Sequence, residues 1–170
     1  MNVTVLRMGH RHERDKRITT HCALVARAFG AKKIILSGEK DDSVLKSVAE
    51  AALRWGGNFE VEYREDWKSV LKNFKGLKAH LTMYGEKIKP AQFKKTKNVL
   101  VVIGAEKVPA EVYKLCDFNI AIGSQPHSEV AALTVFLLKI LGEKPLWEKK
   151  RNAKLKIIPQ RNSKKVVTKL

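Results

Sequence analysis

Six short apolar runs separated by stretches of helical period limit this chain's fold more than any other feature. Residues 3–6, 34–36, 59–63, 79–83, 99–103 and 118–122 are rich in β-branched and aliphatic side chains. Most are near-continuous rather than alternating, the pattern of strands buried on both faces. Between the first two runs, Ile18, Cys22, Val25 and Phe29 recur at helical spacing, and Gly30 follows as a stop. Between the next two, Asp41 and Asp42 precede Val44, Leu45, Val48, Ala49, Ala52 and Leu53, with Gly56 as the stop. Strand and helix in alternation imply an α/β fold, a mostly parallel sheet covered by helices on both faces. The last strong helix pattern, 128–141, is apolar almost all round, so it needs burial on more than one side. A second subunit is one way to supply it.

That apolar pattern is interrupted by Thr134 and Lys139 and is too short to span a bilayer. The N-terminus lacks the basic-then-apolar layout of a signal peptide, so a cytoplasmic protein with no membrane partner is expected. Cys22 and Cys116 fall within periodic apolar segments without metal-type spacing and read as reduced core thiols. At 170 residues the chain can bury one substantial core. Residues 1–142 form that domain, and 143–170 read as a basic extension, either a hairpin or arm or a disordered tail.

Charge separates the segments further. The balance is +6 over residues 1–33, 0 over 34–85, +4 over 86–97, −1 over 98–142 and +8 over 143–170, for a net +17. Clustering of this kind suits a polyanion such as nucleic acid. A Lys- and Arg-rich thermophile surface is the competing explanation.

The chain contains neither GxGxxG nor GxxxxGK[ST], so a nucleotide-like ligand has to be held in another way. Glycines end the apolar runs at Thr82-Met83-Tyr84-Gly85 and at Ile103-Gly104, where backbone can approach a ligand or simply turn. In the segment 120–133, Ser124, His127 and Ser128 hint at hydrolysis, but no GxSxG elbow is present. Ser128 is better placed as a helix cap. On the first helix, Arg14, Arg17 and His21 share one face, with Arg7 and Arg11 upstream completing a basic rim. The face suits phosphate, and it also suits plain solvation. His10, His12 and His21 have no carboxylate or cysteine at a recognised ligand spacing, so no metal is expected.

Four longer stretches resemble a known family: LRMGHRHERDKRITTHCALVARAFGA (6–31), HLTMYG (80–85), VVIGAEKVP (101–109) and IGSQPHSEVAALTVFL (122–137). They are similar to the archaeal tRNA ribose 2′-O-methyltransferases of the SPOUT class, which modify cytidine 56 in the T-loop. The resemblance implies an α/β fold with a C-terminal deep trefoil knot, a homodimer, tRNA as partner and S-adenosylmethionine as cofactor. It implies a cofactor pocket lined by Leu81, Thr82, Met83, Tyr84 and Gly85, by Gly104, Ala105, Glu106, Lys107 and Val108, and by Ile122, Gly123, Ser124, Gln125, Pro126, His127, Ser128 and Glu129. Ribose methylation needs a group to stabilise the developing alkoxide, and Arg14 and Arg17, with His21 to orient or accept the proton, fill that role. Aligning residues 28–30 with the equivalent turn of bacterial SPOUT ribose methyltransferases puts their helix arginine on Leu24. The catalytic arginine has therefore moved within the helix or comes from elsewhere, the other subunit included. Methylation of another RNA site, and RNA binding without catalysis, are the alternatives.

Overall fold

The computed structural model describes residues 1–104 and 107–168. Six strands form one sheet in which every pairing is parallel, in the order β3-β2-β1-β5-β4-β6. They are β1 (Asn2–His10), β2 (Lys33–Gly38), β3 (Glu60–Tyr63), β4 (Leu77–Lys87), β5 (Asn98–Gly104) and β6 (Phe118–Ala121). All six expected strands are present. β1 and β4 extend past their apolar runs into polar residues, because the neighbouring strands supply backbone partners there.

Period-two alternation on the central strands decides what covers each face. On β1 and β5, Val3, Val5, Val99, Val101 and Ile103 enter one core cluster, while Leu6, Met8, Leu100 and Val102 enter the other. The first face is covered by α1 (His12–Ala28), α2 (Asp42–Trp55), α5 (Glu129–Leu141) and a 3₁₀ turn at Pro90–Phe93. The second is covered by α3 (Trp67–Asn73) and α4 (Ala110–Leu115). Helix ends follow local chemistry. Ser128 Oγ accepts from the Ala131 N–H at 3.2 Å, and α1 ends just before Gly30, whose φ is 79°. Both cysteines are buried and unbridged, and burial pushes each thiol up to about 12.

Asp41 caps α2, accepting from Ser43 N–H at 2.9 Å and Val44 N–H at 3.1 Å. Burial alone would raise its carboxyl, but the Ser43 hydroxyl, which donates to it at 2.6 Å, the Val44 N–H and the nearby Lys16 and His12 bring it down to about 2. A lowered folded pKa stabilises the protein above the ordinary value of 3.8 and ceases to do so as pH falls toward 2. Asp41→Asn is therefore expected to cost about 1–2 kcal/mol at neutral pH and to match wild type below pH ~2, measured by urea unfolding across pH.

After α5, a short α6 (Lys144–Trp147) leads to an antiparallel pair, β7 (Leu155–Ile158) and β8 (Lys165–Thr168), in register from Leu155↔Thr168 to Ile158↔Lys165. Within the extension, β7 and β8 form a hairpin. An isolated pair of strands is marginal in water. This one is held where its approach docks on the end of α2: Gly57 N–H donates to Arg151 O at 3.0 Å, and Lys154 N–H donates to Arg54 O at 3.0 Å. The contact is close enough that a Cβ on Gly56 would lie 2.3 Å from Arg151 O.

Candidate active site

At the carboxyl ends of β5, β4 and β6 lies a cavity of about 630 Å³, a size suited to a cofactor. Its shape starts from an irregularity in β4. Leu81 and Glu86 both pair with Ile120 of β6, so Thr82–Gly85 leave the ladder and bulge outward. The bulge frees backbone groups for a ligand while the strand resumes beyond it. Gly85 makes the bulge possible, since a Cβ there would sit 2.5 Å from Asn119 C and O and Ile120 N. Gly104 plays a related part on β5, where Val108 Cγ2 occupies the space a side chain would take.

Of the residues expected around the cofactor, Leu81, Thr82, Met83, Tyr84, Gly104, Lys107, Val108, Ile122, His127 and Glu129 line this cavity. Gly85 lies against β6 and borders a neighbouring cleft instead. Gly123, Ser124, Gln125 and Pro126 belong to the β6–α5 connection and do not line it, and Ser128 caps α5. Ala105 and Glu106 lie outside the described residues.

The cavity also takes in His80, Tyr113, Ile120 and Ala132, which the sequence pattern does not single out. His80 opens the HLTMYG stretch, where its position within an apolar run makes it look like an ordinary strand residue. Its Nδ1 lies 2.9 Å from the accepting Asn119 Oδ1, and its ring meets Tyr113 edge-on with centroids 4.7 Å apart. Burial lowers its pKa below the ordinary 6.5, with the Asn119 contact opposing, so the ring is neutral at neutral pH. Asn119 Nδ2 donates to Tyr113 O at 3.0 Å, and Tyr113 and Thr82 hydroxyls share a hydrogen bond at 3.0 Å. The bulge is thus tied to β6 and α4 by one polar chain.

Arg7 corrects the reading of a basic rim. It is 0% exposed, on central strand β1. Its Nη2 stands 2.8 Å from Glu129 Oε1 in the cavity wall and 3.9 Å from Asp15 Oδ2, and its Nη1 donates to Met8 O. Asp15 in turn accepts from Arg11 Nε at 3.2 Å. Burial opposes ionisation of Asp15, but the arginines hold its carboxyl below the usual range. The first turn of α1 is thereby bound electrostatically to β1, and β1 to the cavity.

Arg14, Arg17 and His21 lie on α1, all three are exposed, and none lines the cavity. Among the described residues no cluster of His, Cys, Asp or Glu could hold a metal ion. Nor is any helix there long and apolar enough to cross a membrane.

Solved structures share this architecture. The chain superimposes on the SpoU methyltransferase AviRb from Streptomyces viridochromogenes, in complex with the cofactor AdoMet, with a TM-score of 0.63 and 18% identity. The match covers 84% of this chain and 58% of that one. The TrmH/SpoU tRNA modifying enzyme of A. aeolicus gives 0.62 and 15%, over 84% of this chain and 76% of that one. Identities this low speak for the fold. Nearer relatives cover whole chains. The tRNA (cytidine(56)-2′-O)-methyltransferase of Archaeoglobus fulgidus is 56% identical over 99% of both chains. That of Thermococcus kodakarensis is 54% identical over 97% of this chain and 96% of its own. The model of the family described as tRNA ribose 2′-O-methyltransferase, aTrm56, matches residues 55–167, which hold the bulge, the cavity and the basic hairpin. With the fold, the cavity and near-full-length relatives in agreement, this chain belongs to the aTrm56 family of tRNA ribose 2′-O-methyltransferases.

Proposed function

We propose that the protein methylates the ribose 2′-hydroxyl of cytidine 56 in tRNA, using S-adenosylmethionine held in the cavity between β5, β4 and β6. The carrying observation is that cavity, with the Thr82–Gly85 backbone released from the ladder on one side and a mixed polar and apolar wall on the other. The residues fit such a cofactor. Released backbone groups and Ile122 suit an adenosine, while Glu129, His127 and Lys107 offer partners for charged amino-acid groups. Bound there, the cofactor would supply an electrophilic methyl group on a positive sulfur, the S–CH3 bond breaking to leave a neutral thioether as the ribose oxygen gains the methyl and loses its proton.

The chain's own part is alignment and charge stabilisation. Arg14 and Arg17 stabilise the developing alkoxide or hold the adjacent phosphate, and His21 orients or receives the proton. What supports this is their shared exposed face on a helix locked to the cavity wall through Asp15, Arg7 and Glu129. Arg14→Ala is expected to slow transfer by about 10²–10³-fold with cofactor affinity unchanged by calorimetry. Equal loss of both removes Arg14 from this role.

The same reading makes residues 1–142 the methyltransferase unit, with the family's trefoil knot, in a cytoplasmic homodimer. Supporting the dimer is apolar surface on and after α5: Leu138, Leu146 and Trp147 are exposed, Trp147 by 82%. Residues 143–170 serve as an RNA-binding arm. The hairpin cations Lys154, Lys156, Lys164 and Lys165 are all exposed. Replacing them with Gln is expected to weaken tRNA binding. The dependence of log affinity on log salt should flatten by about 0.7–0.9 for each phosphate no longer neutralised, read by filter binding. An unchanged slope excludes the hairpin from RNA binding.

A further inference from the structure

A second cavity, of about 340 Å³, borders the first and shares its wall at Lys107 and Val108. It runs across the carboxyl ends of β1 and β2, from the segment after β3 to the segment after β5, the strand beside β1. From β1 the chain runs to α1 on the first face, and from β5 to α4 on the second. Neighbouring strands whose connections leave to opposite faces create the crevice in which open α/β sheets place ligands. Here the cofactor cavity lies beside this switch point, in the β5-β4-β6 part of the sheet.

Two of the residues that line the second cavity, Gly9 and Gly38, are glycines for a structural reason. Gly9 and Gly38 have φ of 68° and 119°, and a Cβ on Gly38 would come within 2.5 Å of the His10 N and O atoms. Two other lining residues supply chemistry. Trp67 offers an aromatic platform whose ring has the Lys68 ammonium 5.5 Å from its centroid. Glu65 is exposed, and its backbone is fixed by the Ser37 hydroxyl, which donates to Glu65 O at 3.2 Å, and by the Trp67 N–H, which donates to the same oxygen at 3.0 Å.

We propose that this crevice receives the target base, a cytosine turned out of the RNA, with its ribose at the Lys107–Val108 partition facing the cofactor cavity. The inference rests on the proposed reaction, which requires one nucleoside to reach both sites, and the shared partition is where it can. Stacking on an aromatic ring binds a turned-out base. A carboxylate accepts from the exocyclic amine of cytosine and repels the carbonyl oxygen that uracil presents at the same position. Glu65 is therefore the residue that selects cytidine.

The test uses the full chain and two tRNA transcripts, with cytidine or uridine at position 56, and compares kcat/KM for wild type, Glu65→Gln and Trp67→Leu. Glu65→Gln, whose amide can donate to uracil, is expected to reduce the cytidine-over-uridine preference at least about tenfold. Trp67→Leu keeps apolar packing and is expected to raise KM about tenfold for both RNAs. Calorimetry should show unchanged cofactor affinity in both variants. Each enzyme sees the same two RNAs, so differences in RNA folding cancel in the ratio of preferences. An active wild type with an unchanged preference in Glu65→Gln overturns the assignment of this crevice and leaves the proposed reaction standing. A wild type that binds cofactor but methylates neither RNA overturns both.

Discussion

Arg7→Met is expected to destabilise the protein by about 3–5 kcal/mol, the cost typical of removing one partner from a buried ion pair. Arg7 is fully enclosed on a strand with neighbours on both sides, so water cannot replace it. Its loss leaves the Glu129 carboxylate, 21% exposed, without its cation at 2.8 Å. Asp15 is less affected because Arg11 remains at 3.2 Å. Most of the penalty thus falls on Glu129, and neutralising that residue as well should return part of it. Arg7→Met with Glu129→Gln is expected to be more stable than Arg7→Met alone, a non-additivity that urea unfolding measures directly. A loss under about 1 kcal/mol for Arg7→Met, or strict additivity, contradicts the role given to the pair.

The second large effect concerns a glycine. Gly85→Ala is expected to weaken S-adenosylmethionine binding by about 10–100-fold, equivalent to about 1.4–2.8 kcal/mol. The new methyl group would meet the backbone of Asn119 and Ile120 at 2.5 Å, and backbone cannot rotate aside as a side chain can. Relief requires β4 and β6 to separate where Glu86 pairs with Ile120 and Lys87 with Ala121, which opens the cavity wall. Gly123→Ala is the matched control. A Cβ there meets nothing within 4 Å, and affinity should not change. Isothermal calorimetry distinguishes the two, and a Gly85→Ala protein within about twofold of wild type contradicts this role for the bulge.

Arg7 and Gly85 also mark the limit of what sequence patterns convey. The sheet is readable because strands buried on both faces must be apolar throughout, as residues 99–103 are. The basic face of α1 is readable because helical spacing fixes which residues neighbour one another. Arg7 is not, because arginine is rarely buried without a partner, and its partner lies at the far end of the chain on α5. Gly85 stands out for the right property and the wrong neighbour. Its missing side chain admits the backbone of β6 rather than a ligand, a distinction set by strand order, which no local pattern contains. His80 and Tyr113 reach the cavity from β4 and α4 for the same reason. Ser124 and His127, which resemble a reactive pair in the sequence, are both exposed, and only His127 lines the cavity.

The central claim is that this chain places a methyl group on one ribose of tRNA. Unmodified tRNA transcript incubated with the purified protein and S-adenosylmethionine, then digested and mapped by mass spectrometry, tests it most directly. The expected result is a single added methyl group on the ribose of cytidine 56, absent when the cofactor is omitted. A methyl group on a base, or at a different nucleotide, or no methylation by a protein that binds the cofactor, contradicts it.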